Sequence, residues 1–250
     1  MGLHIVSKRA DGYHELETIF YPIDWCDVLE IVPSDEQQFT SSGLAIPGKG
    51  NLCLDAYHLL KADFDISAVH IHLHKVIPIG AGLGGGSSDA AFTLKGLNEL
   101  FDLKLSNEQL RAYAVQLGAD CPFFVENKPM LATGIGEVLS PIELDLSNYH
   151  LAIVKPDIHV STAEAYSSVV PNQPTHSLAD LIRQPIADWQ VQNDFEKSVF
   201  AQYPEVEKLK QSLYEKGAVY AAMSGSGSAV FGLFKELPLL SFENYSISHS

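Results

Sequence analysis

The stretch Pro78-Ile79-Gly80-Ala81-Gly82-Leu83-Gly84-Gly85-Gly86-Ser87-Ser88-Asp89 places five glycines in the seven positions 80 to 86. Before it, Val69, Ile71 and Leu73 alternate with His70, His72 and His74 as in a half-buried strand. After it, the spacing predicts a helix over residues 88–101. Glycine in regular structure costs roughly 0.5 to 1 kcal/mol relative to alanine, so a tight turn would use one or two, not five. Without side chains, successive N–H groups can converge on an anion, and a helix beginning at Ser87-Ser88 adds its positive end and two hydroxyls. The expected ligand is a polyphosphate. A flexible connector would not be bracketed so closely by ordered elements.

Two familiar glycine motifs do not describe this loop. Gly80, Gly82 and Gly85 satisfy G-x-G-x-x-G, but a dinucleotide site needs a second parallel strand ending in an acidic residue about 20 positions on. Here residues 102–108 read as a connection between helices. A Walker A loop needs lysine where Gly86 follows Gly85.

Outward from the loop, residues 3–6, 17–23 and 27–32 read as strands and residues 52–60 as a helix. Ser106 and Gln109 form a capping box for a helix carrying Leu110, Tyr113, Ala114 and Leu117, which Gly118 stops, leaving Asp120 just past its end. A new start is expected after Tyr149, with a strand at 151–154, helices near 161–168 and 205–216, a loop around Pro171-Asn172-Gln173-Pro174, and a strand at 229–234. Lys155-Pro156 ends the first of these strands. The division expected is 1–149 and 150–250. Strands and helices mix without strict alternation, which favours α+β.

The chain has 250 residues and a formal net charge of −15. Such acidity argues against nucleic-acid or anionic-membrane partners, which require a basic face. Phosphate would have to be met by local backbone dipoles or a bound cation. No apolar run approaches the roughly 20 residues of a membrane span, and Met1-Gly2-Leu3-His4 shows no leader pattern, so a cytoplasmic setting is expected. Cys26, Cys53 and Cys121 are read as free thiols.

Three further segments turn these readings into a resemblance. Residues 78–91 resemble the central motif of the GHMP superfamily of small-molecule kinases. Ala221-Ala222-Met223-Ser224-Gly225-Ser226-Gly227-Ser228 is similar to its C-terminal glycine motif. Arg9-Ala10-Asp11-Gly12-Tyr13-His14-Glu15-Leu16, Gly118-Ala119-Asp120-Cys121-Pro122-Phe123-Phe124 and Asn193-Asp194-Phe195-Glu196 resemble the branch that acts on a cytidine diphosphate ester of methylerythritol.

The resemblance implies a two-domain α+β fold, with an N-terminal domain like ribosomal protein S5 domain 2 and a ferredoxin-like C-terminal domain. It implies ATP-dependent phosphorylation of the ester's 2-hydroxyl, in non-mevalonate isoprenoid synthesis, with Mg²⁺. It assigns proton acceptance or orientation of the acceptor hydroxyl to Asp120, whose simpler explanation is a loop aspartate making an Asx turn. ATP contacts fall on Pro78, Ile79, Gly80, Ala81, Gly82, Leu83, Gly84, Gly85, Gly86, Ser87 and Ser88, with Asn51 and Lys75; an asparagine cap and a surface lysine explain the last two equally well. Substrate contacts fall on Tyr13 and His14 for the cytosine, on Tyr166 with Thr162 and Phe20 in the same pocket, and on Gly225 and Ser226.

Members of this branch usually begin with Pro-x-Ala-Lys-x-Asn, and this chain starts just after that point. Without the lysine, nucleotide binding with slow turnover is expected. Alternatives are another acceptor (homoserine, mevalonate or a sugar), a nucleotide-binding protein without catalysis, or, remotely, a nicotinamide-dependent oxidoreductase. Monomer and homodimer both stay open. His70, His72 and His74 could face a metal along one strand, but an exposed strand face explains them better and no metal site is assigned. Asn193-Asp194 reads as a helix cap, and Asp89 as a carboxylate at a helix start.

Overall fold

The computed structural model describes residues 1–48, 50–167, 169–240 and 246–249, the last four as backbone alone. Its elements run β1 (Leu3–Lys8), β2 (His14–Phe20), β3 (Val28–Pro33), β4 (Gln38–Gly43), α1 (Leu52–Asp63), β5 (Val69–Lys75), α2 (Gly85–Leu100), α3 (Asn107–Leu117) and α4 (Cys121–Glu126). They continue with β6 (Met130–Thr133), β7 (Val138–Pro141), β8 (His150–Lys155), α5 (Thr162–Ser167), α6 (Leu178–Leu181), a 3-10 turn (Ile186–Asp188), α7 (Glu196–Gln202), α8 (Pro204–Glu215), β9 (Tyr220–Met223), β10 (Val230–Phe234) and β11 (Ser246–His249).

Two compact units emerge. The first comprises residues 1–24, 80–83 and 129–250, and the second residues 25–79 and 84–128.

In the second unit, β5 lies between β3, antiparallel to it, and β4, parallel to it. The parallel pair is joined through α1, the crossover a parallel pair requires. One face of the sheet is apolar because β5 alternates: Val69, Ile71 and Leu73 point inward to a core with Tyr57, Leu60, Leu94 and Leu97. Asn51 caps α1 by accepting from the Cys53 N–H at 2.8 Å. The Ser106–Gln109 capping box forms as expected.

The first unit holds two antiparallel sheets, ordered β1-β2-β6-β7 and β11-β8-β10-β9. Leu3, Ile5 and Leu16 share one core with Val154, Phe195, Leu213 and Val230. Residues 192–194 run beside β1: Leu3 N–H donates to the Gln192 carbonyl, and Ile5 N–H to the Asp194 carboxylate at 2.7 Å.

Several boundaries differ from expectation. Strand β2 spans His14–Phe20 rather than 17–23, because it pairs from His14 with Lys8 and leaves the sheet after Phe20. Helix α2 begins three residues early, at Gly85, since glycines can occupy a first turn whose N–H groups have no helical partner. Helix α5 spans Thr162–Ser167 within the expected 161–168, and Ser168 lies outside the described residues. Among the described residues, no helix is long and apolar enough to cross a membrane.

Candidate active site

The glycine loop is held differently along its length. Gly82 has φ +73°, and a Cβ there would lie 2.1 Å from the Ser224 carbonyl oxygen, so only glycine fits. The approach is fastened by the Ser224 hydroxyl donating to the Gly82 carbonyl at 2.8 Å and by the Ala229 N–H donating to the Ala81 carbonyl at 3.1 Å. In the first unit, therefore, residues 80–83 pack on the 224–229 segment, the second glycine motif of the sequence. Asn193 supports that motif from below, donating to the carbonyls of Met223 at 2.9 Å and Gly225 at 2.8 Å. Glu196 accepts from the Met223 N–H at 2.8 Å and pairs with Lys210 at 2.6 Å. The Asn193 to Glu196 motif is thus more than a helix cap: it fixes the second loop.

In the second unit, Gly84 in the left-handed region (φ +68°) is the N-cap of α2. It offers no capping side chain, and the first turn carries no acidic residue. Helices α1 and α3, by contrast, have Asn51 and Ser106 as caps and Asp55 and Glu108 in their first turns. The donors and positive end of α2, a helix of 16 residues, are left to a ligand, an arrangement suited to an anion. Pro78, Leu83, Gly85, Ser87 and Ser88 are half-buried along this run, while Ile79, Gly80 and Gly86 are exposed.

Helix α4 packs on that same helix start. A Cβ on Gly84 would meet the Phe124 ring at 2.9 Å. Asp120 stands at the N-cap of α4 without capping it. Desolvation by surrounding protein raises its carboxyl above the usual carboxylate range. The residue itself is exposed, as an acceptor for a bound hydroxyl must be. An Asx turn would have given the carboxylate a backbone N–H partner and pulled it the other way, so the simpler explanation of Asp120 loses its support.

Lys75 corrects the sequence reading. It is not a surface lysine: it is 4% exposed, and its Nζ lies 2.6 Å from both Asp27 Oδ2 and Asp89 Oδ2. Asp27 Oδ1 also accepts the N–H groups of Val76 at 2.6 Å and Ile77 at 2.8 Å. Sequence reasoning missed this cluster, although the signal was present. The inward parity of Val69, Ile71 and Leu73, carried two residues further, buries Lys75, and a buried ammonium requires carboxylate partners. Asn51 serves as the cap of α1.

The expected substrate residues divide. His14 stacks on Tyr166, with ring centroids 4.9 Å apart and planes at 21°, and Tyr166 meets Phe195 edge-on. One face of α5 carries both Thr162 and Tyr166, and Thr162 Oγ1 lies 3.4 Å from Ser226 Oγ. Tyr13 is 60% exposed at the tip of the β1–β2 hairpin, its N–H donating to Asp11. Phe20 ends β2, six residues from His14, about 20 Å along the strand.

The three histidines of β5 form a ladder with β4. Thr40 Oγ1 lies 2.8 Å from both His70 Nε2 and His72 Nδ1, and Ser42 Oγ lies 3.0 Å from His72 Nε2 and 2.9 Å from His74 Nδ1. Cross-strand hydroxyls thus satisfy four of the ring nitrogens.

A glycine loop at an uncapped helix start, with Asp120 at the head of the helix packed against it, is the arrangement expected from the resemblance to GHMP kinases. Residues 51–128 match the model of the GHMP kinases N terminal domain, and residues 176–239 that of the GHMP kinases C terminal. A 4-diphosphocytidyl-2-C-methyl-D-erythritol kinase from Azobacteroides pseudotrichonymphae is 53% identical over 99% of this chain and 95% of its own length. One from Bacteroides fragilis is 55% identical over 94% of this chain and 88% of its own. A crystal structure of 4-(cytidine 5'-diphospho)-2C-methyl-D-erythritol kinase superposes with a TM-score of 0.76 at 36% identity, over 93% of this chain and 85% of that one. A homoserine kinase from Cytophaga hutchinsonii, at 15% identity and a TM-score of 0.65, shares the fold. The chain belongs to the GHMP kinases and, within them, to the 4-diphosphocytidyl-2-C-methyl-D-erythritol kinase family.

Proposed function

We propose that this protein transfers the γ-phosphoryl group of ATP to the 2-hydroxyl of 4-diphosphocytidyl-2-C-methyl-D-erythritol, a step in making isoprenoid precursors by the non-mevalonate route. The observation that carries the reading is α2, whose first turn lacks both capping side chain and acidic residue, with Asp120 on the helix packed against that start. Family membership at 53% identity supports the choice of acceptor.

Phosphoryl transfer asks a protein mainly for positioning and charge stabilisation. The N–H groups of residues 84–87 at the start of α2 hold the phosphates, the Ser88 N–H being already donated to the Gly84 carbonyl. Asp120, made more basic by desolvation, orients the acceptor hydroxyl and takes its proton. His14 and Tyr166, with Tyr13 at the hairpin tip, take the cytosine by stacking and edge hydrogen bonds; Thr162, Gly225 and Ser226 line the approach. Mg²⁺ bound with the nucleotide would supply charge neutralisation to the phosphates held at the start of α2. The cytoplasm is the setting that supplies ATP.

The test measures ADP release by the purified protein with ATP, Mg²⁺ and either the cytidylyl ester or homoserine. Release with the ester and not with homoserine is expected. Asp120→Asn should lower turnover at least about 10²-fold while retaining ATP binding. Turnover within a few-fold of the unmutated protein would remove Asp120 from its role.

A further inference from the structure

Asp27, Lys75 and Asp89 do something no phosphate contact requires. The Lys75 ammonium bridges two carboxylates at 2.6 Å each, and its Nζ lies 3.1 Å from where a Gly85 Cβ would stand. Through Asp27, which also holds the Val76 and Ile77 N–H groups, the cluster fixes the chain entering the glycine loop. Through Asp89 and the close approach to Gly85, it fixes the helix leaving the loop.

We propose that Asp27, Lys75 and Asp89 form a positioning cluster beneath the phosphate loop, and that Asp89 captures a proton from solvent when nucleotide phosphates bind there. The proposal rests on the loop being a nucleotide site. With both carboxylates ionised, the cluster sums to one negative charge, and it lies one helical turn, about 6 Å, from the start of α2. Phosphates arriving at that start face this charge through protein rather than water, and repulsion favours the neutral acid.

Asp89 is the member poised to accept. Burial already pushes its carboxyl up to about 6 against the opposing pull of Lys75, while Asp27 keeps two backbone donors. The other titratable group acting here is the Cys53 thiol of α1, kept neutral because burial pushes it up to about 11. The Thr93 hydroxyl donates to the Asp89 carbonyl and adds no charge.

The experiment is calorimetric titration of the full chain with ADP at pH 7 in two buffers of different ionisation enthalpy, which counts protons exchanged, for the unmutated protein and Asp89→Asn. The nucleotide's own titration is common to both, so the difference reads Asp89. A carboxyl moving from about 6 to about 7 takes up roughly 0.3 to 0.5 proton at pH 7 that the variant does not. The unmutated protein's affinity for ADP should also gain about three- to tenfold on the variant's between pH 8 and pH 6. Equal proton counts with ADP bound to both would overturn the cluster proposal alone. Absence of ADP binding to the unmutated protein would overturn the nucleotide reading and this proposal with it. If Asp89→Asn fails to fold, the ¹³C shift of the Asp89 carboxyl in the unmutated protein decides: movement toward the protonated position on adding ADP supports the proposal, and a fixed shift overturns it.

Discussion

Replacing Gly82 by alanine would put a methyl group 2.1 Å from the Ser224 carbonyl oxygen, in a backbone conformation (φ +73°) that alanine resists. The atoms that methyl group meets belong to the backbone of Ser224 and Gly227, so the backbone itself must shift. Gly82→Ala is expected to lose at least about 2 kcal/mol, read as a lower urea midpoint at unchanged slope. Unchanged stability would mean that residues 80–83 do not approach Ser224 in solution. At this scale glycine is the most legible residue, because five glycines in seven positions have few structural uses. Lysine is less so. Lys75 could be read as a nucleotide contact or as a surface charge but not as a buried one, since the carboxylate that first explains its burial, Asp27, lies 48 positions away in the chain. The role proposed for Asp120 likewise rests on desolvation of its carboxyl, which spacing does not encode.

Among the elements, the Asn193 to Glu196 turn makes the most definite prediction. Asn193→Asp keeps the size of the side chain but removes both N–H donations to the carbonyls of Met223 and Gly225 and adds a charge beside them. A loss of about 2 kcal/mol is expected in urea unfolding, with faster amide exchange at Met223 to Gly227; full protection there would contradict the bracing role. Sequence periodicity made α3 legible through its capping box and β5 through its alternation. It missed β4 because Gln38-Phe39-Thr40-Ser41-Ser42-Gly43 has too few apolar residues to show a period. What makes β4 a strand is its partner: its backbone pairs with β5, and its Thr40 and Ser42 hydroxyls meet imidazoles. Strand β2 began three residues earlier than its apolar run suggested, since the hairpin register with β1 decides where pairing starts.

Across the whole molecule, a net charge of −15 is a source of self-repulsion, which screening relieves. Raising NaCl from 20 to 200 mM should lift the thermal midpoint by about 2 to 4 °C, the shift worth about 1 kcal/mol at this chain length. A midpoint that falls with salt would show that attractive ion pairs such as Lys210–Glu196 outweigh the repulsion. The α+β class could be read from the order of elements, but the grouping of residues 1–24 with 129–250 could not, because pairing of β2 with β6 joins positions more than a hundred apart. That grouping has a practical consequence for dissection by genetic means. A piece cut from 25 to 128 carries everything the second unit needs plus four residues, 80–83, stripped of their neighbours at 224–229. The first unit has no contiguous equivalent: any fragment that omits the middle of the chain must rejoin Asp24 to Pro129 by a new linker and loses the glycines that pack on its second loop.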